Sequence, residues 1–110
     1  MPGKDLEELT KAAVSVRALY DAATERKCGR AWNHEEIMLG FMGDVGELST
    51  LVQGKSGVRP RDDLDAALGH ELADCLWSIL VLAHEYGINL ESEFLATMRE
   101  LTQKLDRGES

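Results

Sequence analysis

The chain has 110 residues, enough for one domain with a core of its own and too few for two. Its 44% apolar and 29% charged residues are the composition of a folded globular protein rather than a disordered one. With 20 acids against 12 bases the formal charge is -8, which repels a phosphate backbone and argues against nucleic acid as a partner.

The N-terminal run MPGKDLEELTK has no apolar signal core, so no targeting segment is expected. Leu6, Leu9, Ala13, Val16, Leu19, Tyr20 and Ala23 recur at the three-and-four spacing of one helix face and predict a helix over about 5–26, ended by KCGR. A second helix is predicted over about 34–53. Asn33 caps it, Glu36 three residues on completes a capping box, and Ile37, Phe41, Val45, Leu48 and Leu51 form its apolar face. Gly54 is the expected stop.

Residues 54–62 form the one sizeable loop. Its GKSG resembles the end of a Walker A motif, but Ser49 stands where the first glycine belongs and a helix precedes it, so a P-loop is rejected. The same loop region holds Lys55, Arg59 and Arg61, the densest basic cluster in an acidic chain. Either these cations neutralise substrate phosphates, with Lys55 and Arg59 as the candidates, or they keep an exposed loop solvated.

A third helix is predicted over about 63–86, carrying Leu64, Leu68, Leu72, Leu76, Ile79, Leu80 and Ala83, with Gly87 at its C-terminal end. It is apolar nearly all round and therefore central. Its most apolar run, 72–83, is interrupted by Asp74 and Ser78 and is too short to span a bilayer, so no membrane association is expected. Cys28 and Cys75 have neither zinc-ligand nor disulfide-framework spacing, which suits reduced thiols in a cytoplasmic protein. Asn89 caps a fourth helix over about 90–106 with Leu90, Phe94, Met98, Leu101 and Leu105, and the tail 107–110 is expected to fray. No stretch alternates with period two. The expectation is a single all-α domain over 1–110, a four-helix bundle whose ligand site lies between facing helices.

Acids on apolar helix faces are then the residues to find. Asp44 and Glu47 are three apart and share one side of the second helix, while Glu71 and Asp74 repeat the arrangement in the most apolar helix of the chain. Carboxylates buried close together need a cation, a basic group or a proton. An oxygen-only ligand set suits Mg2+ or Mn2+ better than zinc. The alternative is two solvated helix faces in a chain rich in acids. A di-iron centre is excluded, because it needs Glu-x-x-His and His34, His70 and His84 follow Ala31, Ala67 and Val81 at that spacing. Trp32 either stacks on a base or packs the entry to the second helix.

GDVGELSTLVQ followed by HELADCLWSILVLAHEYGINLE resembles the MazG-type nucleotide pyrophosphohydrolases of the all-α NTP pyrophosphatase group, over residues 32–95. The family pattern is roughly EExGEL, a spacer, then EELADVLWYLLxLAxxxGIDLExA. The resemblance implies a Mg2+-dependent four-helix enzyme, completed as a homodimer or homotetramer. It would cleave a nucleoside triphosphate to the monophosphate and pyrophosphate, a reaction suited to clearing the nucleotide pool. Carried over by position, the metal ligands are Asp44, Glu47, Glu71 and Asp74, with Asp44 or Glu47 as general base. Gly43 and Gly46 match glycines beside the family's acids, where they are expected to give clearance to another helix or to phosphates; Gly40 extends the stripe. The chain departs from the pattern in having Asp44 for the usual Glu, Ser78 for the usual Tyr, Asn89 for Asp, and neither Lys nor Asn near Thr97 and Leu101. The missing Lys and Asn and the shortened Asp44 favour a competing reading, a non-catalytic metal- and nucleotide-binding sensor or protein-interaction bundle.

Overall fold

The computed structural model describes residues 5–57 and 61–108. Four helices make up the described chain: α1 (Leu6–Cys28), α2 (His34–Lys55), α3 (Leu64–Glu85) and α4 (Leu90–Asp106). Most of their ends follow from local capping chemistry. Asp5 accepts from Glu8 N–H at the start of α1, and Gly29, with φ 83°, ends that helix by donating its N–H to the Glu25 carbonyl. At α2 the capping box forms in full, Asn33 accepting from Glu36 N–H while the Glu36 carboxylate accepts from Asn33 N–H. Arg30 grips the same carboxylate through both terminal nitrogens, at 2.6 and 2.8 Å, and this hydrogen bonding holds Glu36 down at about 2. The end of α3 is a Schellman turn, in which Ile88 N–H donates to Ala83 and Gly87 N–H to His84.

Two ends differ from expectation. Gly54 does not stop α2; it is buried within the helix, which runs on to Lys55, and the left-handed turn comes at Gly57, φ 88°. Asp63 occupies the N-cap of α3 but makes no side-chain cap bond, because both its oxygens are taken by Arg61, at 2.5 and 2.8 Å.

Helix α3 is central: it packs against both α2 and α1. Ala13, Leu80 and Val81 form a buried cluster, with Leu6, Trp77 and Leu90 packed against it, and Ile37, Leu51 and Cys75 complete the core. At 22 residues the whole of α3 is long and apolar enough to cross a membrane by length and composition, although its apolar run 72–83 alone is not. Within this fold Cys75, Ser78, Leu80 and Val81 of the helix are buried, and Glu71 and Asp74 sit in its first half.

A charge network fastens α1 to the end of α3 and the start of α2. Arg17 is only 8% exposed; its Nε lies 2.8 Å from Glu85 Oε2, its Nη2 donates to the Trp32 carbonyl at 2.7 Å, and its Nη1 lies 3.1 Å from Asp21 Oδ1. His34 Nε2 approaches the other Glu85 oxygen at 2.8 Å. The Arg17 Nη1, Asp21 Oδ1 and Glu85 Oε1 atoms are buried without a well-aligned hydrogen bond, so attraction between charges is what holds them.

The outer helix is the unfinished part. None of α4 is buried, and Phe94, Leu95, Met98, Leu101 and Leu105 stand along it exposed. Leu72, Leu76 and Ile79 do the same along α3. The radius of gyration is 17.1 Å, against roughly 13 Å for a compact chain of this length.

Candidate functional site

Packing α2 on α3 brings acids of the two helices together. One carboxylate oxygen from each of Asp44, Glu71 and Asp74 lies within 4.8 Å of the others, and all three residues are partly buried. Glu47 is not in that close group. It is exposed one turn along α2, near enough for its charge to act on Glu71 and Arg61. Burial pushes the Glu71 carboxyl above its ordinary range. A hydrogen bond with Asp44 and the charges of Asp44, Asp74 and Glu47 push the same way. Cys75 feels the same field: burial first, then Asp44, Glu71 and Asp74, push its thiol up.

This donor set fits a hard divalent cation. It consists of carboxylate oxygens alone, and the mutual repulsion that helps to raise the Glu71 carboxyl is one that a cation would remove. His70, one turn earlier on α3, brings its Nε2 to 3.1 Å from Asp74 Oδ2 at the exposed side of the group.

Beside the acids opens a cavity of about 450 Å³, with Tyr20, Trp32 and Trp77 as aromatic walls and Asp44 and Asp74 at one side. Tyr20 and Trp32 lie nearly parallel with centroids 6.3 Å apart, and Tyr20 meets Trp77 edge-on at 5.5 Å. The Trp77 indole N–H is spent on the Ala13 carbonyl at 3.1 Å. Arg17, by holding the Trp32 carbonyl, fixes the backbone that carries one wall. A larger cleft of about 580 Å³ lies between α1 and the α3–α4 junction, lined by residues such as Thr10, Lys11, Leu80 and Leu90. Its carboxylates, Glu7 and Glu91, belong to no cluster of three or more ligating groups among the described residues, so chemistry rather than volume marks the smaller cavity as the site.

The basic loop is less available. Lys55 Nζ is paired with Asp65 at 2.5 Å and Arg61 with Asp63, while Arg59 lies outside the described residues. The glycine stripe is open: a Cβ at Gly40, Gly43 or Gly46 would meet nothing within 4 Å. No described helix of this chain therefore needs the clearance these glycines give. Gly40 lines the aromatic cavity.

The positions of Tyr20, Trp77 and Ser78 in the cavity, and the role of Arg17, escaped the sequence reading. Arg17 left a signal, because it stands four residues after Ala13 and one after Val16, on the apolar side of α1 where a charge needs a partner.

Comparison with known proteins finds the MazG nucleotide pyrophosphohydrolase domain over residues 32–107, a span that begins at Trp32 and includes all four acids. Gene 37 protein of Mycobacterium phage L5 is 27% identical over 108 residues, covering 92% of this chain and 90% of that protein. No solved structure matches the chain significantly.

Proposed function

The chain belongs to the MazG nucleotide pyrophosphohydrolase domain family, and from that membership we propose that it hydrolyses a nucleoside triphosphate, ribo or deoxy, to the monophosphate and pyrophosphate. The observation that supports this reading best is the convergence of Asp44, Glu71 and Asp74 beside an aromatic cavity that Asp44 and Asp74 line. These three residues would hold Mg2+ or Mn2+, which when bound supplies charge neutralisation to the phosphates and acidity to a water. Glu47, outside the close group and on the same helix as Asp44, is left free to take the proton of the attacking water. The aromatic walls, Trp32 among them, receive the base by stacking. Lys55 would have to leave Asp65 to reach a phosphate.

The test is turnover on a panel of common and modified nucleotides with Mg2+, run beside thermal shifts. Release of pyrophosphate from at least one of them is expected. Stabilisation by metal and nucleotide with no pyrophosphate from any would make the protein a sensor, and stabilisation by neither would make it an interaction module.

The functional form is proposed to be a homodimer or homotetramer acting in the cytoplasm. The supporting feature is the exposed stripe of α4, since a 17-residue helix with no buried residue has little to hold it in one chain. Light scattering should find at least a dimer at tens of micromolar. Leu101→Glu, which puts a charge in the stripe at a residue 45% exposed in the single chain, should shift it to monomer. A wild-type monomer would contradict the assembly.

A further inference from the structure

We propose that Ser78 is a specificity residue, its hydroxyl hydrogen-bonding an edge heteroatom of the base that enters the aromatic cavity. The inference rests on the nucleotide reading above and goes further, to how one base is preferred over another. Ser78 is 2% exposed, lines the cavity, and its hydroxyl makes no hydrogen bond to another described residue. The hydroxyl is not one of the fully enclosed, unpartnered polar atoms of the described residues, so the little exposure that Ser78 keeps includes its oxygen, open to whatever enters the cavity. The neighbouring groups do not partner it: the Trp77 N–H is committed to Ala13, and the carboxylates of Asp44 and Asp74 converge with Glu71.

Size points the same way. Gly40 on α2 and Ala73 and Ser78 on α3 are the small residues of the lining, and Ser78 is the one of these three with a polar side chain. A Cβ at Gly40 would meet nothing within 4 Å. These small residues leave room beside Ser78 for a planar heteroaromatic ring that lies against the aromatic walls with its edge at the hydroxyl. A site that hydrogen-bonds its ligand discriminates against analogues lacking the matching group, because the buried partner is then left unpaired.

The test uses free nucleosides with EDTA present, so that neither phosphate nor metal contributes. Both tryptophans of the chain, Trp32 and Trp77, line this cavity, so intrinsic fluorescence reports its occupation. Titration with adenosine, guanosine, cytidine, uridine and thymidine should give saturable quenching by at least one. Ser78→Ala should weaken the preferred nucleoside by roughly three- to tenfold, the loss of one hydrogen bond, and narrow the preference among bases. Ser78→Leu should abolish quenching while Mn2+ binding and the far-UV spectrum remain, which separates a filled cavity from a failed fold. Equal affinities in wild type and Ser78→Ala for every nucleoside would overturn the proposal, as would wild-type protein that no nucleoside quenches. Nucleoside binding that depends on Ser78 in a protein releasing no pyrophosphate would sink the activity and leave this contact standing.

Discussion

Glu71→Gln is expected to cut pyrophosphate release by ~100-fold or more, the scale of losing a charged group that acts directly at the reacting centre, and at the same time to stabilise the metal-free protein. The two effects share one cause. Glu71 is crowded by Asp44, Asp74 and Glu47 on partly buried helix faces, which makes the cluster unfavourable without a cation and strong with one. The amide keeps the shape and removes the charge.

The pH dependence follows from the same crowding. The folded protein holds the Glu71 carboxyl above its ordinary value of 4.5, so it keeps a proton that the unfolded chain has released. Stability from this group is fully present below 4.5 and is lost as pH rises through the higher folded value. In EDTA, the melting temperature of wild type should therefore carry a downward component as pH rises from 4.5 toward neutrality, and Glu71→Gln should remove it. Mg2+ should raise the wild-type melting temperature at neutral pH and leave the variant's unchanged. Wild-type turnover in Glu71→Gln, or a variant less stable than wild type without metal, would contradict the arrangement.

Arg17→Met should be the most damaging single substitution away from the acids. It deletes the guanidinium that Glu85, Asp21 and the Trp32 carbonyl share, and leaves a largely covered Glu85 facing His34 alone. Breaking a buried pair from one side costs about 3–5 kcal/mol, and the partial exposure of Glu85 and Asp21 sets the expectation near the lower end. Urea unfolding at fixed protein concentration measures it, with Arg17→Lys intermediate, since one ammonium cannot reach three partners that the planar fork spans. A change within about 0.5 kcal/mol, the scatter of ordinary surface substitutions, would show that the network is ornamental.

The features legible in the sequence are those set by near neighbours. Asn33 with Glu36, Gly29 and Gly87 define helix ends through bonds reaching three to five residues, so spacing alone exposes them. Gly54 misled because glycine serves a buried helix position as readily as a turn, and only packing tells which. The acidic pairs could be assigned to helix faces by period, but period does not say which member of a pair aims across to the next helix. Asp44 does and Glu47 stands outside the close group, a distinction created by how α2 lies on α3. The aromatic cavity was hidden for the same reason, since Tyr20, Trp32 and Trp77 come from three separate parts of the chain. Arg17 and Glu85 are 68 residues apart, and no local pattern could join them.

The central claim is that Asp44, Glu71 and Asp74 form one divalent-cation site. Mn2+ titration followed by electron paramagnetic resonance tests it without reference to turnover. Wild type should take up Mn2+ saturably, Mg2+ should displace it, and both Glu71→Gln and Asp74→Asn should abolish the binding while keeping their helical spectra. Wild type that leaves Mn2+ free at millimolar concentration, or variants that bind it as wild type does, would contradict the account.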